Sequence, residues 1–314
     1  MNCFITGIEG FVGHHLAAHL AGAGDRVAGC FLDQLTADDI KDTYQLFPAD
    51  IVTGQGLAAA LEQTRPECVF HLAAQSSAAR SFKEPRQTFE ANVIGTVNLL
   101  EAVRNLPARP RLVLVSSCEV YGPNPGPQPM DESQPYRPVS PYGSSKAAQE
   151  LVALQYQLSY GLEVVVARPF PHLGPGQSEA FALPSFAKQI AEIEAGRREP
   201  VVMVGNLEPQ RDFSDVRDVV RAYRLLAEKG QAGQAYNICS GKPIAMCRAL
   251  EILLKNSKTV IDIRPDPERL RPSDVPLLWG DCRKLREATG WEPEHDVAHA
   301  LADLLEHWRH RIAQ

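Results

Sequence analysis

Asn2-Cys-Phe-Ile-Thr-Gly7-Ile-Glu-Gly10-Phe-Val-Gly13-His-His-Leu16 opens the chain with a short apolar run, three glycines and the start of an amphipathic stretch. Asn2–Thr6 reads as a buried strand and His15–Ala21 as a helix. A strand, a glycine turn and a helix in that order are what give such a motif meaning. Gly7 can make the tight turn, Gly10 lets backbone approach a pyrophosphate, and Gly13 lets the helix pack closely on the strand. Phe11 and Val12 stand at the helix start, where backbone N–H groups would hold phosphates.

Downstream, Arg26–Leu32 reads as a second strand with Asp33 at its end. An acid about 20 residues past the glycines can accept from a ribose 2′-hydroxyl and would repel a 2′-phosphate. No Lys or Arg follows until Lys41. NAD and NADP both stay open, with the balance toward NAD; an ordinary loop role for Asp33 is the alternative. Asp50 and Ile51 close the next extended stretch and fit beside an adenine. Cys68–Ala74 is a further strand that runs into the small-residue turn Leu72-Ala73-Ala74, where a cofactor can approach closely. Arg86–Asn105 reads as one long helix with Phe89, Val93, Val97, Leu100 and Val103 as its apolar stripe. Arg111–Ser116 and Leu162–Arg168 are strands again. Continuous apolar strands alternating with helices imply a Rossmann-type α/β fold, a doubly wound parallel sheet with ligands at the carboxyl ends of its strands. Residues 1–170 read as the cofactor-binding domain. Shorter elements rich in Gly and Pro make 171–314 a smaller α/β lobe, with some segments returning to the first domain.

Ser116-Ser117-Cys-Glu119 follows a strand directly, so it belongs at the carboxyl edge of the sheet. Tyr142 and Lys146 open the next helix four residues apart, on one face. A cation beside a phenol lowers its pKa, and a tuned phenol can exchange a proton with a sugar oxygen. Around a nicotinamide, these groups make a hydride-transfer site. Ser117 or Ser116 would hold the substrate oxygen, Tyr142 would move the proton, and Lys146 would tune Tyr142 and bond the ribose. Strand-end capping is the plainer role for the serines.

In order and at familiar spacing, Thr6-Gly7-x-x-Gly10-Phe11-x-Gly13, His71-Leu-Ala-Ala74, Ser116-Ser117-x-Glu119 and Tyr142-x-x-x-Lys146 resemble the extended short-chain dehydrogenase/reductases that act on nucleotide-activated sugars. The likeness covers essentially the whole chain. Gly174-Pro-Gly-Gln177, Phe186–Ile190, Val204–Asp218, Tyr236–Gly241, Leu270–Pro276 and Thr289–Pro293 resemble the branch that handles GDP-linked deoxyhexoses. This implies reduction of a 4-keto sugar, with 4,6-dehydration or epimerisation as alternatives. Glu119 stands where the dehydratases carry their Glu, which dehydration needs but which does not prove it. The resemblance also implies a homodimer through the helices Arg86–Asn105 and Pro141–Ser159.

Arg211 and Arg271 suit a diphosphate or ribose oxygens, Asp274 can accept from a ribose hydroxyl, and Asn206 and Lys188 are further polar candidates for the nucleotide. Structural pairs Arg211–Asp212 and Arg271–Asp274 are the competing reading. One departure stands out: Pro171 precedes His172 where the family carries Asn, so an amide contact to sugar or phosphate is lost or replaced. A non-catalytic dinucleotide-binding protein is the reading from a different class; the intact Ser, Tyr and Lys argue against it, because a mere binder needs only the glycines.

Composition narrows the rest. The net charge of −6 gives no footprint for nucleic acid, and no run approaches the ~20 apolar residues of a membrane span. Seven scattered cysteines form no CxxC pair and no metal-ligand spacing, so thiols, no metal and a cytoplasmic setting are expected.

Overall fold

The computed structural model describes residues 1–32, 40–270 and 275–314. Asp33, Arg271 and Asp274 lie outside the described residues. Among those described, β1 (Asn2–Thr6), β2 (Arg26–Phe31), β3 (Gln45–Pro48), β4 (Cys68–His71), β5 (Arg111–Val115) and β6 (Val164–Pro169) join Ala235–Ile238 in a seven-stranded sheet. Its order is Ala235–Ile238, β6, β5, β4, β1, β2, β3, and its pairings are parallel. The strand order reverses between β4 and β2, on either side of β1, which is where a doubly wound sheet opens its ligand crevice. Register levels the strand ends there: Thr6 pairs with Cys30 and His71, and His71 pairs with Leu114.

Helices cover both faces, which is why the strands read as unbroken apolar runs. Phe11–Gly22 and Val216–Lys229 bury Leu16, Leu20, Val219 and Tyr223 on one face. Leu57–Thr64, Gly95–Arg104 and Pro141–Tyr160 bury Leu61, Leu99, Leu100 and Ala153 on the other. A separate core forms among Ala182–Glu194, Met246–Lys255 and Val297–Ala313, around Phe186, Ile190, Leu250, Leu301 and Leu305. Residues beyond 170 therefore supply both a sheet strand and that third layer.

The stretch expected as one regular helix over 86–105 is built differently. Pro85–Phe89 is α-helical, Glu90–Ile94 makes a π turn, and Gly95–Arg104 is α-helical again. The wider turn rotates the buried face. Thr88, Asn92, Thr96, Leu99, Leu100 and Val103 face inward, whereas Phe89 and Ile94 are exposed. The buried polar side chains hold the turn: Asn92 Oδ1 accepts from Gln75 N at 2.8 Å, and its Nδ2 donates to Gln75 O at 3.1 Å and Ser145 Oγ at 2.8 Å. Such bulges are frequent at functional sites.

All seven cysteines are free, and only Cys247 is exposed. No helix among the described residues is long and apolar enough to cross a membrane.

Candidate active site

The glycine turn is closed by contacts that exclude side chains. Gly7 has φ +71°, and a Cβ on it would stand 2.9 Å from Ala73 Cα. A Cβ on Gly13 would stand 2.3 Å from Gly7 O, so helix and strand can meet only if position 13 is glycine. The helix Phe11–Gly22 begins at an extended Gly10 with no side-chain cap and no acid in its first turn. Its first N–H groups, including those of Phe11, Val12 and Gly13, thus meet no side-chain cap among the described residues and suit an anion such as a pyrophosphate. Leu72, Ala73 and Ala74 are half-buried beside this turn, with Ala73 N donating to Thr6 Oγ1 at 3.2 Å. Asp50 caps its own turn, accepting from Val52 N at 2.8 Å and Thr53 Oγ1 at 3.0 Å, while Ile51 packs on Gly95.

Ser117, Tyr142 and Lys146 meet at the carboxyl end of β5. Ser140 caps the helix Pro141–Tyr160, its Oγ accepting from Gly143 N at 2.9 Å, and Pro141 at the first position pre-sets the backbone. Tyr142 therefore lies in the first turn and Lys146 one turn on. The phenol of Tyr142 is buried. Burial and the Glu119 carboxylate push its pKa well above the ordinary value, while a hydrogen bond with Ser117 pulls the other way. That is opposite to the downward tuning expected from Lys146. The reason is geometric: Lys146 Nζ donates to Val115 O at 2.8 Å and to Gln149 Oε1 at 2.9 Å. Burial lowers Lys146 itself to about 7. Glu119 Oε2 accepts from Ser140 Oγ at 2.9 Å, tying the acid to the helix cap.

The two serines separate. Ser117 accepts from Glu119 N at 3.2 Å and faces Tyr142. Ser116 donates instead to Glu150 Oε1. Glu150 belongs to a buried cluster: Arg168 donates to both its oxygens, at 3.0 and 2.7 Å, and Tyr136 donates to it at 2.9 Å. Arg168 also reaches Tyr121 Oη at 2.8 Å. This cluster fastens the Pro- and Gly-rich loop 122–140 onto the sheet. A buried ion pair of this kind fixes an arrangement more than it adds stability. Glu150, Arg168, Gln149 and Asn92 are the site's supports that the residue pattern does not single out.

The expected substrate ligands among the described residues, Pro171, His172, Lys188, Asn206 and Arg211, come from the second half of the chain. Pro171 O accepts from Ser214 N at 3.0 Å. His172 stacks on Phe11 with centroids 6.2 Å apart, which brings the glycine turn against the lobe; its Nδ1 donates to Phe170 O at 3.0 Å, and burial lowers its pKa. Arg211 donates to Gln210 O at 2.8 Å and Val275 O at 2.7 Å, and stands near enough to Cys118 to oppose the upward push of burial on that thiol. The competing Arg211–Asp212 pairing is not how Asp212 is held: it accepts from Ser240 N at 2.8 Å, Gly241 N at 3.0 Å and Gly280 N at 3.3 Å. Asn206 Oδ1 accepts from Glu208 N at 3.0 Å. Lys188 pairs with Glu179 at 2.8 Å and lines a cavity of about 290 Å³ with Arg198, Arg269 and Glu192.

Comparison with known proteins shows the family. The family model described as GDP-mannose 4,6 dehydratase matches residues 4–304. The chain is 34% identical over 312 residues to GDP-6-deoxy-D-mannose reductase of Pseudomonas aeruginosa, covering 99% of this chain and 98% of that protein. It is also similar to the structure of RMD from Pseudomonas aeruginosa complexed with NADPH, with a TM-score of 0.87, 34% identity and coverage of 98% and 99%. The Thermus thermophilus UDP-glucose 4-epimerase complex with NAD superposes with a TM-score of 0.88, at 28% identity and coverage of 98% and 99%. The chain belongs to the GDP-mannose 4,6-dehydratase family of extended short-chain dehydrogenase/reductases, NAD(P)-dependent enzymes that act on nucleotide sugars.

Proposed function

We propose that this enzyme reduces the 4-keto group of a GDP-4-keto-6-deoxyhexose to give a GDP-deoxysugar of the GDP-rhamnose type. The observation that carries this reading is the placing of Tyr142 and Lys146 one turn apart on the helix Pro141–Tyr160, with Lys146 tied to Val115 O at the end of β5, two residues before Ser117. A reduced nicotinamide bound at the switch point supplies the hydride. Ser117 holds the keto oxygen, and Tyr142 gives that oxygen its proton. A phenol kept protonated by burial suits a donor. Lys146 retains an N–H for a ribose hydroxyl beyond its contacts with Val115 and Gln149. Arg211, Asn206, Lys188, Arg271 and Asp274 hold the nucleotide, and Pro171 and His172 border the sugar.

The tie between Glu119 and Ser140 favours reduction, since a dehydratase needs this carboxylate for C5 and C6 chemistry. Dehydration of GDP-mannose is the second reading, favoured by the description of the matching family. Incubating the enzyme with GDP-mannose and oxidised cofactor, and separately with the 4-keto-6-deoxy sugar and reduced cofactor, separates the two. Product from the second mixture alone supports the reductase; product from the first alone overturns it.

On this reading residues 1–170 form the cofactor domain and 171–314 mainly the nucleotide-sugar lobe. The seven free thiols suit a reducing cytoplasm. The enzyme works as a homodimer through the apolar face of Phe89, Ile94, Leu151, Leu154 and Leu158.

A further inference from the structure

The glycine turn carries a carboxylate to the carboxyl end of β2. Glu9 lies between Gly7 and Gly10, and its Oε1 accepts from Leu32 N at 3.0 Å, one residue past the strand. The turn is fastened to the same strand end, with Gly7 N and Ile8 N donating to Cys30 O at 3.1 and 3.4 Å. The other oxygen, Oε2, is buried and has no hydrogen-bond partner among the described residues. A buried acceptor without a donor is unfavourable, so this oxygen stands ready for one. The nearby Cys30 thiol registers the charge, its pKa pushed up to about 12 by burial first and Glu9 second.

In a doubly wound sheet the adenosine ribose of a dinucleotide lies over the end of the second strand, where an acid accepts from the 2′-hydroxyl. The glycine turn and uncapped helix start fit the pyrophosphate, and the fixed reach from Gly10 to Leu32 brings Glu9 to the ribose end. We propose that Glu9 is a specificity-determining residue, accepting from the 2′-hydroxyl of NAD(H) and repelling the 2′-phosphate of NADP(H). Like charges brought together in a half-buried site disfavour each other, and a phosphate adds up to about two. A preference for NAD(H) at Glu9 would set this enzyme apart from the Pseudomonas aeruginosa RMD structure, which holds NADPH.

The test is equilibrium binding of NADH and NADPH, each read by nicotinamide fluorescence without sugar, to the wild type, Glu9→Gln and Glu9→Ser. Glu9→Gln keeps the shape and the acceptor for Leu32 N while removing the charge. The wild type should bind NADH about tenfold or more tightly than NADPH, equivalent to about 1.4 kcal/mol. Both variants should move the NADH/NADPH preference toward NADPH by about tenfold or more, with NADPH tightening as the charge leaves and NADH weakening as the 2′-hydroxyl loses its acceptor. A wild type that binds NADPH as tightly as NADH, or folded variants whose NADH/NADPH ratio stays within about twofold of wild type, would overturn the role of Glu9. Binding of neither dinucleotide to the wild type would overturn it together with the cofactor chemistry of the whole site.

Discussion

Lys146 Nζ donates to Gln149 Oε1 at 2.9 Å, and the Gln149 amide is itself held from behind. Gln149 Nε2 donates to Thr96 Oγ1 at 2.8 Å. The Thr96 hydroxyl gives its own proton to Asn92 O at 2.7 Å, so toward Gln149 and His71 it can only accept. His71 Nε2, 2.9 Å from Thr96, therefore carries the ring proton, and Nδ1 accepts from Thr6 Oγ1 at 2.8 Å. Burial lowers His71 to about 3, which keeps the ring neutral. A buried polar chain thus runs from the strand below the glycine turn to the lysine. Gln149→Leu should remove one acceptor from Lys146 and one donor from Thr96, costing about 1–3 kcal/mol. Urea unfolding midpoints measure it; an unchanged midpoint would mean the chain supports nothing.

Lys146 should leave a signature in stability against pH. Its folded pKa of about 7 lies below the 10.5 of an unperturbed lysine. Between those values the unfolded chain binds more protons, so this group makes stability rise with pH. Unfolded thiols begin to ionise near about 8.5, which leaves the window from about pH 7 to 8.5 for a clean reading. Relative to Lys146→Met, the wild type should gain up to about 1.4 kcal/mol per pH unit there, read by chemical denaturation. Parallel pH curves for the two proteins would contradict the lowered pKa.

Ser116 and Ser117 should behave differently although they are neighbours. Ser117→Ala removes a hydroxyl beside Tyr142, and turnover should fall by about tenfold or more with cofactor affinity kept. Ser116→Ala breaks the bond to Glu150 and should lower stability by about 1 kcal/mol with turnover nearly intact. Steady-state kinetics and melting curves on both variants check the assignment, and an exchange of the two outcomes would reverse it.

Tyr142→Phe removes only the phenolic oxygen. Turnover should drop by about 10²–10⁴-fold, the range for losing a positioned acid. Binding of the reduced cofactor, followed by fluorescence titration, should change little. Normal turnover in the Phe enzyme would remove Tyr142 from the mechanism.

Leu151, Leu154 and Leu158 form one face of the helix Pro141–Tyr160, and Leu158 is 75% exposed. Phe89 and Ile94, on the segments Pro85–Phe89 and Glu90–Ile94 that pack against that helix, are exposed as well. Exposed apolar side chains of this kind suit an association surface, and the proposed homodimer would bury them. Light scattering should give twice the 34.5 kDa chain mass, and Leu158→Glu should shift it toward the single chain. A wild type that scatters as a single chain excludes the dimer.

Local pattern made much of this legible. β1, β4 and β5 are short unbroken apolar runs, and the glycine spacing fixes how the first helix packs on the first strand. The helix Val216–Lys229 keeps its amphipathic period, so its limits follow from the residues alone. What the pattern hides is long-range. The π turn at Glu90–Ile94 depends on Asn92 bonding Gln75 and Ser145, groups 17 and 53 residues away. The choice between Ser116 and Ser117 depends on the Glu150–Arg168 pair, which no periodicity announces. The upward shift of Tyr142 comes from burial and Glu119, whereas spacing alone points to Lys146. Glu9 reads as an ordinary turn residue until Leu32 N is seen to donate to it.

The central claim is hydride delivery to the sugar's C4 carbon. The most direct test supplies GDP-4-keto-6-deoxymannose and a reduced nicotinamide carrying deuterium at its transferable C4 position, with the product examined by proton NMR. The reductase reading requires stoichiometric cofactor oxidation and deuterium at C4 of the GDP-deoxysugar. Unconsumed cofactor, or a product labelled elsewhere in the sugar, would contradict it.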